Sequence, residues 1–384
     1  MRIAIVGGGP AGLYFALLMK RLDPAHDIQV VEQNAAGATF GFGVVFSDRA
    51  LSFLEAADAD VYADLARRLQ TWDDQVIVHR DERVRIDGIG FSGIGRLELL
   101  QVLQAHCRRR GVTLAFERRL ADPAALADSD LVVGADGVNS LVRDGDRGRF
   151  GPSVDTLSNR YVWYGTTQRF EALTLTFREN ADGVFVAHHY PYAAQRSTFI
   201  VECDAATWTR AGLARMSEDA SRRYCEAVFA PDLGEHSLLT NRSLWTTFKV
   251  VTNRRWSQGN VVLIGDALRT VHFSIGSGTR NALEDAIALF RAFETHGPDV
   301  PTALRAFEEA RRPGVEKFLE VAQRSYAWYE RFRDKMPLDP LRFAYDYLMR
   351  GGRISHDRLR QRSPRFAAAY EARAASPPAA APAE

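Results

Sequence analysis

The sequence is poor in cysteine and in lysine, and it has no excess of charge of either sign. Its three cysteines, Cys107, Cys203 and Cys225, lie far apart and form no C-x-x-C pair. This excludes a disulfide framework and a cysteine-based zinc site, and we predict a reduced, cytoplasmic protein without a metal. Arginine supplies nearly all of the 49 basic residues, and 48 acidic residues leave a net charge of +1. Such an even balance argues against a nucleic-acid-binding protein.

Long hydrophobic runs are also missing, although 46% of the 384 residues are hydrophobic. No uninterrupted apolar stretch is long enough to cross a bilayer, so we predict no membrane association. Residues 1–21 begin with an early arginine and an apolar stretch, as a signal peptide does. Glycines interrupt that stretch at 7, 8, 9 and 12, and a glycine fingerprint explains the segment better.

Short apolar segments alternate with helical patterns along the chain. Residues 2–6 predict a buried strand, 10–22 a helix and 27–32 a second strand, which together form a β-α-β unit. Residues 33–49 are glycine-rich and are predicted to form a loop before helical patterns over about 50–70. Further strands are predicted at 75–79, 83–86, 131–136, 161–167, 173–177, 183–189, 197–203 and 260–265, and further helices at 96–109, 215–230, 278–295 and 301–329.

Residues 7–12 (GGGPAG) fit the dinucleotide-binding pattern G-x-G-x-x-G. Gly7 permits the tight turn, Gly9 lets a pyrophosphate approach the backbone, and Gly12 lets the helix pack closely on the strand. The helix that begins at Pro10 directs its N-terminus at the anion. Glu32 follows Gly12 by 20 residues, where a carboxylate accepts hydrogen bonds from a ribose. These features predict an adenine dinucleotide site and leave both FAD and NAD open.

Two further glycine motifs follow predicted strands. Residues 134–143 (GADGVNSLVR) come after one strand, and residues 265–267 (GDA) come after another, with Gly276 and Gly278 before a helix. The three motifs, in this order and spacing, resemble the single-component flavoprotein aromatic hydroxylases of the p-hydroxybenzoate hydroxylase fold. The W-x-W-x-I-P peptide of the related flavin halogenases is absent.

The resemblance implies that the protein binds FAD, and that NADH or NADPH binds transiently as the reductant without a domain of its own. Asp136 and Gly137 match the family's second motif, which contacts FAD and the visiting nicotinamide. Asp266 matches the residue that binds the flavin ribityl chain, and Arg96 matches an arginine that reaches the FAD phosphates. The helix N-terminus after Gly276 and Gly278 can stabilise anionic reduced flavin. The other predicted cofactor contacts are Ala11, Gln33 and Val44.

The implied fold is α/β, with a Rossmann-like FAD-binding domain, an inserted β-rich substrate domain and C-terminal helices, as in p-hydroxybenzoate hydroxylase. The β-rich middle of the chain interrupts the nucleotide-binding unit, so the first domain is discontinuous. The predicted boundaries are 1–72, 93–158 and 252–335 for the FAD-binding domain, 73–92 and 159–251 for the substrate domain, 336–373 for the helical segment and 374–384 for a disordered tail.

Several peptides resemble a narrower subgroup of these hydroxylases. The subgroup contains salicylyl-CoA 5-hydroxylase and the flavin half of 2-aminobenzoyl-CoA monooxygenase/reductase, with the violacein-pathway tryptophan hydroxylase nearby. Residues 350–366 resemble the segment that closes the flavin domain in the CoA-thioester members, which favours a stand-alone salicylyl-CoA hydroxylase. The other peptides are 41–47 (GFGVVFS), 161–166 (YVWYGT), 188–190 (HHY), 197–203 (STFIVEC) and 265–276 (GDALRTVHFSIG).

The implied reaction is hydroxylation of an aryl-CoA thioester with molecular oxygen, salicylyl-CoA at C5 to gentisyl-CoA, through a C4a-hydroperoxyflavin. C5 is para to the hydroxyl and meta to the thioester, so both substituents direct an electrophilic oxygen there. Hydroxylation of 2-aminobenzoyl-CoA or of a tryptophan derivative stays open. So do a flavoprotein oxidase or dehydrogenase that inserts no oxygen, and a catalytically idle scaffold. A monomer and a homodimer are both compatible with the sequence.

His188, Tyr190 and His272 are the candidate catalytic residues. Imidazole titrates near neutrality and can accept a proton from a phenol, although a buried histidine is as often structural. An apolar slot for the ring is predicted from five residues, Phe42, Val45, Trp163, Phe273 and Ser274. Arginines at 108–110, 254–255 and 311–312 are candidates for contacts with CoA phosphates or for a solvated face.

Overall fold

A computed structural model describes residues 1–47, 52–122 and 126–375. Within those ranges the strands form sheets of eight, six and three strands. In chain order the strands are β1 (Arg2–Val6), β2 (Asp27–Val31), β3 (Gly43–Ser47), β4 (Gln70–Trp72), β5 (Gln75–His79), β6 (Glu82–Ile86), β7 (Phe91–Gly95), β8 (Thr113–Ala115), β9 (Leu131–Gly134), β10 (Pro152–Thr166), β11 (Leu173–Asn180), β12 (Gly183–Ala193), β13 (Arg196–Cys203), β14 (Leu238–Leu239), β15 (Thr246–Asn253), β16 (Ser257–Gln258) and β17 (Val261–Leu263).

The helices pack against these sheets, and short 3₁₀ turns occupy Leu213–Arg215, Gly265–Ala267, Phe273–Ile275 and Phe332–Lys335. In chain order the α-helices are α1 (Pro10–Leu22), α2 (Ser52–Ala57), α3 (Ala59–Ala66), α4 (Arg96–Arg109), α5 (Leu141–Asp144), α6 (Arg147–Phe150), α7 (Ala205–Arg210), α8 (Glu218–Val228), α9 (Ala230–Leu233), α10 (Gly278–His296), α11 (Val300–Tyr329), α12 (Pro340–Met349), α13 (His356–Arg362) and α14 (Pro364–Ala375). No described helix combines the length and the apolar character that a bilayer span requires.

The six-stranded sheet has the order β16-β17-β9-β1-β2-β8. β1 pairs in parallel with β2 on one side and with β9 on the other. The chain therefore winds in opposite directions from β1, and the carboxyl ends of β1, β9 and β17 form the crevice where such sheets bind ligands. Helices α1, α4, α10 and α11 share one hydrophobic core with this sheet. The predicted β-α-β unit and the two later buried strands are thus confirmed.

The eight-stranded sheet runs β14-β10-β13-β12-β11-β5-β6, with β15 pairing β10. Tyr161 lies opposite Glu202, and Trp163 lies opposite Ile200. Ile200 is in turn opposite His188 on β12. Because side chains alternate between faces, all five lie on one face of the sheet. The opposite face forms a separate core with α8 and α9, which includes Val162, Tyr164, Phe185, Ala187, Phe199 and Val201.

The glycine-rich segment 33–49 differs from the prediction, because Gly43–Ser47 is a strand and not a loop. It pairs antiparallel with β7 in the three-stranded sheet. Close approach explains the glycine there, since a Cβ on Gly43 would lie 2.4 Å from Cβ of Tyr192. A partner strand about 50 residues away in sequence leaves no local signal, so the glycines alone suggested a loop.

The C-terminal helices α12 to α14 pack on the β5–β6 end of the large sheet. Their core includes Phe343, Tyr347 and Phe366 against Ile77 and Val84. The boundaries of the domains remain a prediction. The predicted disordered tail at 374–384 lies mainly outside the described residues, which end at 375 within α14.

Candidate active site

A cavity of about 740 Å³ joins the two larger sheets. At one end it is lined by backbone at the carboxyl ends of β1, β9 and β17, where Gly9, Gly137 and Gly265 lie. At the other end it is lined by the inward face of the large sheet and by residues of α12. The cavity therefore brings the three glycine motifs and the β-rich insertion to one place. Its volume suits a cofactor with a small aromatic ligand.

The first glycine motif has the geometry that a pyrophosphate requires. A Cβ on Gly7 would lie 2.3 Å from the Ala135 carbonyl oxygen, and one on Gly12 would lie 2.2 Å from that of Gly7. A Cβ on Gly9 would meet nothing within 4 Å, and Gly9 lines the cavity beside Ala11. Packing therefore explains two glycines, whereas the third leaves backbone open to a ligand. No side chain caps α1, so its first N–H groups can donate to an anion.

These two kinds of glycine predict different mutant phenotypes. Gly9→Ala is expected to fold normally and to bind FAD about tenfold more weakly, because its methyl group projects into the ligand's space. Gly12→Ala is expected to fold poorly, because its methyl group meets backbone. Titration of the apoproteins with FAD, beside their circular dichroism, measures both effects. Equal loss of folding in the two variants would contradict the distinction.

Glu32 ties the glycine motif to the end of β2. Its carboxylate accepts hydrogen bonds from Gly8 N at 2.8 Å and from Asn34 N and Nδ2 at 2.8 and 2.7 Å. Glu32 does not line the cavity, and neither does the exposed Gln33. Glu32 thus holds the loop in shape, and the ribose contact stays a prediction.

The second motif presents backbone to the cavity and keeps its carboxylate inside the protein. Asp136 accepts hydrogen bonds from Leu141 N at 2.7 Å, Val142 N at 3.2 Å and the Ser140 hydroxyl. Burial raises the pKa of Asp136, and the hydrogen bond from Ser140 opposes that rise. Gly137, with φ of +80°, lines the cavity where Asp136 does not. Asp136 therefore fixes the start of α5, and its contact with cofactor remains a prediction.

The third motif carries a charge of its own into the cavity. Asp266 follows β17 and lines the cavity together with Arg96 at the start of α4. Burial raises the pKa of the Asp266 carboxyl, and the charges of Arg96 and Arg269 lower it. Gly276, with φ of +58°, leads into α10, whose N-terminus at Gly278 has no side-chain cap. An acceptor, a cation and free N–H groups in one cavity fit the ribityl hydroxyls, phosphate and anionic ring of FAD.

His188 lines the substrate end of the cavity. Its Nε2 lies 3.3 Å from Glu202 Oε2, and Asn159 Nδ2 donates to Glu202 Oε1 at 2.8 Å. Glu202 is only 1% exposed. The imidazole stacks on Tyr329 at 5.1 Å and meets Phe273 edge-on at 5.4 Å. A carboxylate that accepts from Nε2–H leaves Nδ1 with the lone pair. Within the described residues Nδ1 has no hydrogen-bond partner. It is not fully buried either, so it is open to a ligand in the cavity.

Five of the other predicted contacts line the cavity, namely Val45, Trp163, Tyr190, Phe273 and Ser274, as does the predicted cofactor contact Val44. The Tyr190 hydroxyl donates to the Gly43 carbonyl oxygen at 2.9 Å. Burial raises the pKa of Tyr190, so the phenol stays protonated. Tyr190 therefore anchors β12 to β3, and its predicted catalytic role remains untested.

His272 and Phe42 do not line the cavity, and their predicted roles at the substrate stay predictions. His272 accepts a hydrogen bond from Ser274 N at 3.2 Å through Nδ1 and stacks on Phe273 at 4.3 Å. Burial lowers its pKa to about 4, so the ring is neutral near neutral pH. Phe42 packs over Gly165, where a Cβ would lie 2.5 Å from its ring. His272 thus packs against Phe273, which itself lines the cavity.

The tandem arginines are also away from the cavity, and several are paired with acids. Arg110 lies 3.5 Å from Asp58, and Arg311 lies 3.1 Å from Asp285. None of 108–110, 254–255 or 311–312 lines the cavity. The sequence could not distinguish a phosphate contact from a surface ion pair at these arginines, because the carboxylates that pair with them come from distant elements.

The sequence reasoning missed two residues that line the cavity, Tyr161 and Arg350, and one that lies behind its wall, Glu202. Tyr161 lines the cavity, and its pKa is raised to about 12 by burial and by the charges of Glu202 and Asp266. Glu202 supports His188. Tyr161 and Glu202 both follow the two-residue alternation of their strands, and that pattern could have identified them. Arg350 donates to Ser325 Oγ and to the Ser274 carbonyl oxygen, each at 3.0 Å. No sequence pattern indicates that contact between segments.

Comparison with known proteins agrees with this geometry. A family model described as an FAD binding domain matches residues 1–322. The chain is 41% identical over 360 residues to salicyloyl-CoA 5-hydroxylase from Streptomyces sp., covering 91% of this chain and 70% of that protein. It is also 41% identical over 356 residues to 3-hydroxy-4-methyl-anthranilyl-[aryl-carrier protein] 5-monooxygenase from Streptosporangium sibiricum, with 92% and 95% covered. Protodeoxyviolaceinate monooxygenase from Chromobacterium violaceum is 38% identical, with 90% and 94% covered.

A solved structure shares the fold at much lower identity. The tetrameric form of 2-methyl-3-hydroxypyridine-5-carboxylic acid oxygenase superposes with a TM-score of 0.69 at 18% identity, covering 93% of this chain and 95% of that one. The predicted α/β fold of the aromatic hydroxylase type and its FAD cofactor are thus confirmed. The chain belongs to the FAD-binding-domain family and is a flavoprotein monooxygenase.

Proposed function

We propose that this monooxygenase hydroxylates the ring of an aryl thioester, with salicylyl-CoA converted at C5 to gentisyl-CoA. Two relatives at 41% identity are named for thioester-linked aromatic substrates and for attack at position 5. The observation that carries the proposal is the open Nδ1 of His188 in the cavity wall, backed by a buried carboxylate. That arrangement suits a substrate with one acidic hydroxyl on an apolar ring.

The wall around His188 is shaped for such a ring. Leu173 and Leu175 of β11 and Ile200 of β13 line the cavity on the same side as His188. Leu175 lies opposite His188 in the sheet, so the apolar side chains and the imidazole are neighbours. An apolar wall excludes water from the reacting carbon and leaves His188 as a hydrogen-bond partner for the hydroxyl.

His188 then controls how strongly the phenol oxygen donates electrons to the ring. When its Nδ1 takes the proton of the phenol, the oxygen becomes a stronger donor to the ring positions ortho and para to it. The thioester withdraws electrons and directs attack meta to itself, so C5 satisfies both groups. Glu202 stabilises the imidazolium that results, because an adjacent carboxylate favours the charged form. When bound and reduced by NADH or NADPH, FAD would activate molecular oxygen, of which one atom would enter the ring and the other would leave as water.

The test is product analysis with the purified holoenzyme, NADH or NADPH, and four substrates in parallel. These are salicylyl-CoA, 2-aminobenzoyl-CoA, free salicylate and tryptophan. We expect salicylyl-CoA to gain one oxygen atom in step with reductant consumption, and free salicylate to stay unmodified. Hydroxylation of free salicylate or of tryptophan alone would refute the thioester proposal. Stoichiometric peroxide with an unmodified ring would identify an oxidase.

A further inference from the structure

The cavity has an arginine that no described acidic side chain neutralises. Arg353, in the segment between α12 and α13, lines the cavity and is exposed. Its guanidinium lies over the Phe318 ring, 4.9 Å from the centroid. Within the described residues it makes no hydrogen bond or ion pair. Its donors are therefore available to a ligand.

A second arginine faces the same part of the cavity. Arg280, in the first turn of α10, also lines it and pairs with Glu284 at 2.8 Å. Both arginines line one cavity. Partial burial of Arg353 and, second, the like charge of Arg280 lower the pKa of Arg353. Glu284 pairs with Arg280 and not with Arg353, so an anion bound beside Arg353 would offset the repulsion that remains.

The other cavity cations with direct contacts are occupied within the protein. Arg350 gives its donors to Ser325 and to two backbone carbonyl oxygens. Lys249 donates to Asn139 Oδ1 at 2.8 Å, and Arg362 donates to the Gly88 carbonyl oxygen at 3.0 Å. Arg96 shares the cofactor end with Asp266. Arg353 differs from these residues because its contact is to a ring face alone.

Apart from arginines, the cavity wall next to Arg353 is formed by apolar residues and glycine. Gly351 and Ile354 flank it in sequence, and Val321 of α11 and Leu348 of α12 line the same cavity. A Cβ on Gly351 would lie 3.2 Å from Val321 Cγ1, so the two segments are in close contact there. A neutral, flexible chain suits this wall, and an anionic group suits the arginines.

We propose that Arg353, assisted by Arg280, binds the phosphate of a phosphopantetheine arm that carries the aryl thioester. The inference rests on the proposed function, because the thioester supplies the arm. Coenzyme A and a carrier protein share that phosphate, and guanidinium groups bind phosphate through paired, charge-assisted hydrogen bonds. The aromatic ring at His188 and the phosphate at Arg353 would then fix the substrate at both ends.

The experiment compares salicylyl-CoA, salicylyl-4′-phosphopantetheine and salicylyl-pantetheine as substrates of the holoenzyme. Arg353→Gln and Arg280→Gln are expected to raise KM for the two phosphorylated thioesters about tenfold, with kcat unchanged and KM for salicylyl-pantetheine unchanged. Arg108→Gln is the matched control, because Arg108 is also exposed, lies 5.7 Å from the Phe116 centroid and is outside the cavity. KM for NADH and for NADPH is measured in parallel.

The outcomes distinguish a failure of the phosphate site from a failure of the proposed hydroxylase function. A higher KM for salicylyl-CoA alone would assign the arginines to the nucleotide phosphates of CoA. A higher KM for NADPH would assign them to the reductant. Either result overturns the proposal. Hydroxylation with unchanged KM values in Arg353→Gln would also overturn it while leaving the function intact. If no thioester is hydroxylated, calorimetric binding of free 4′-phosphopantetheine to wild type and Arg353→Gln still decides it. Weaker binding by the variant supports the site, and equal binding or none refutes it.

Discussion

His188→Gln is expected to lower kcat with the aryl thioester ~10²-fold or more, because the amide cannot take the phenol proton. KM for the thioester should change little, since the apolar wall and the phosphate contact remain. The FAD absorbance spectrum should also be unchanged. Steady-state kinetics by product formation measures the effect. A variant that keeps wild-type kcat would remove His188 from the reaction.

The adjacent histidine is the matched control for that variant. His189 lies on the opposite face of β12, where its Nε2 lies 3.0 Å from Thr176 Oγ1 and its ring stacks on Phe199 at 5.1 Å. Burial lowers its pKa well below the usual range. His189→Gln is expected to reduce stability and to leave kcat per folded, FAD-loaded enzyme unchanged.

Glu202 acts through His188 and is therefore tested as a positioning residue. Glu202→Gln removes the charge while an amide oxygen can still accept from Asn159. We expect kcat to fall, by less than in His188→Gln, with KM for the thioester and FAD affinity unchanged. The double variant should be no slower than His188→Gln alone, because both changes remove one function. Additive losses would show that Glu202 has a separate role.

Asp285→Ala is expected to destabilise the protein by about 3–5 kcal/mol, since it leaves a buried arginine without its counter-charge. Asp285 is 0% exposed, and Arg269 beside it is 3% exposed. The carboxylate accepts from Arg269 at 2.5 and 2.8 Å and from Arg311 at 3.1 Å. It also accepts from Gly265 N at 3.0 Å, the residue before Asp266. FAD retention should therefore fall together with stability.

Urea unfolding of the holoenzyme at a fixed FAD concentration measures this loss. Asp219→Ala is the control, because Asp219 pairs with Arg222 at 2.7 Å on the exposed surface and should leave the midpoint unchanged. Asp285→Asn keeps the shape of the side chain and removes the charge. A midpoint for Asp285→Ala equal to that of Asp219→Ala would show that the cluster does not support the fold.

Local features were predictable from the sequence because they depend on neighbouring residues. The strand, glycine turn and helix at 2–22 follow from hydrophobic period and from the steric needs of glycine. The same holds for α4, predicted and found at Arg96–Arg109. The cofactor end of the cavity was therefore largely predicted, since backbone at three strand ends forms much of it.

The substrate end was decided by the tertiary structure. Sequence reasoning put one of two neighbouring histidines inward, but only the register of β12 against β13 selects His188 for the cavity and brings Glu202 behind it. The strand at Gly43–Ser47 needed β7, and Arg311 needed Asp285. Local pattern determines which elements form, whereas contacts between distant segments determine which side chains meet. The sequence by itself thus determined the FAD-binding framework, and only the tertiary structure decided which charged groups face the substrate, because burial and pairing depend on partners far along the chain.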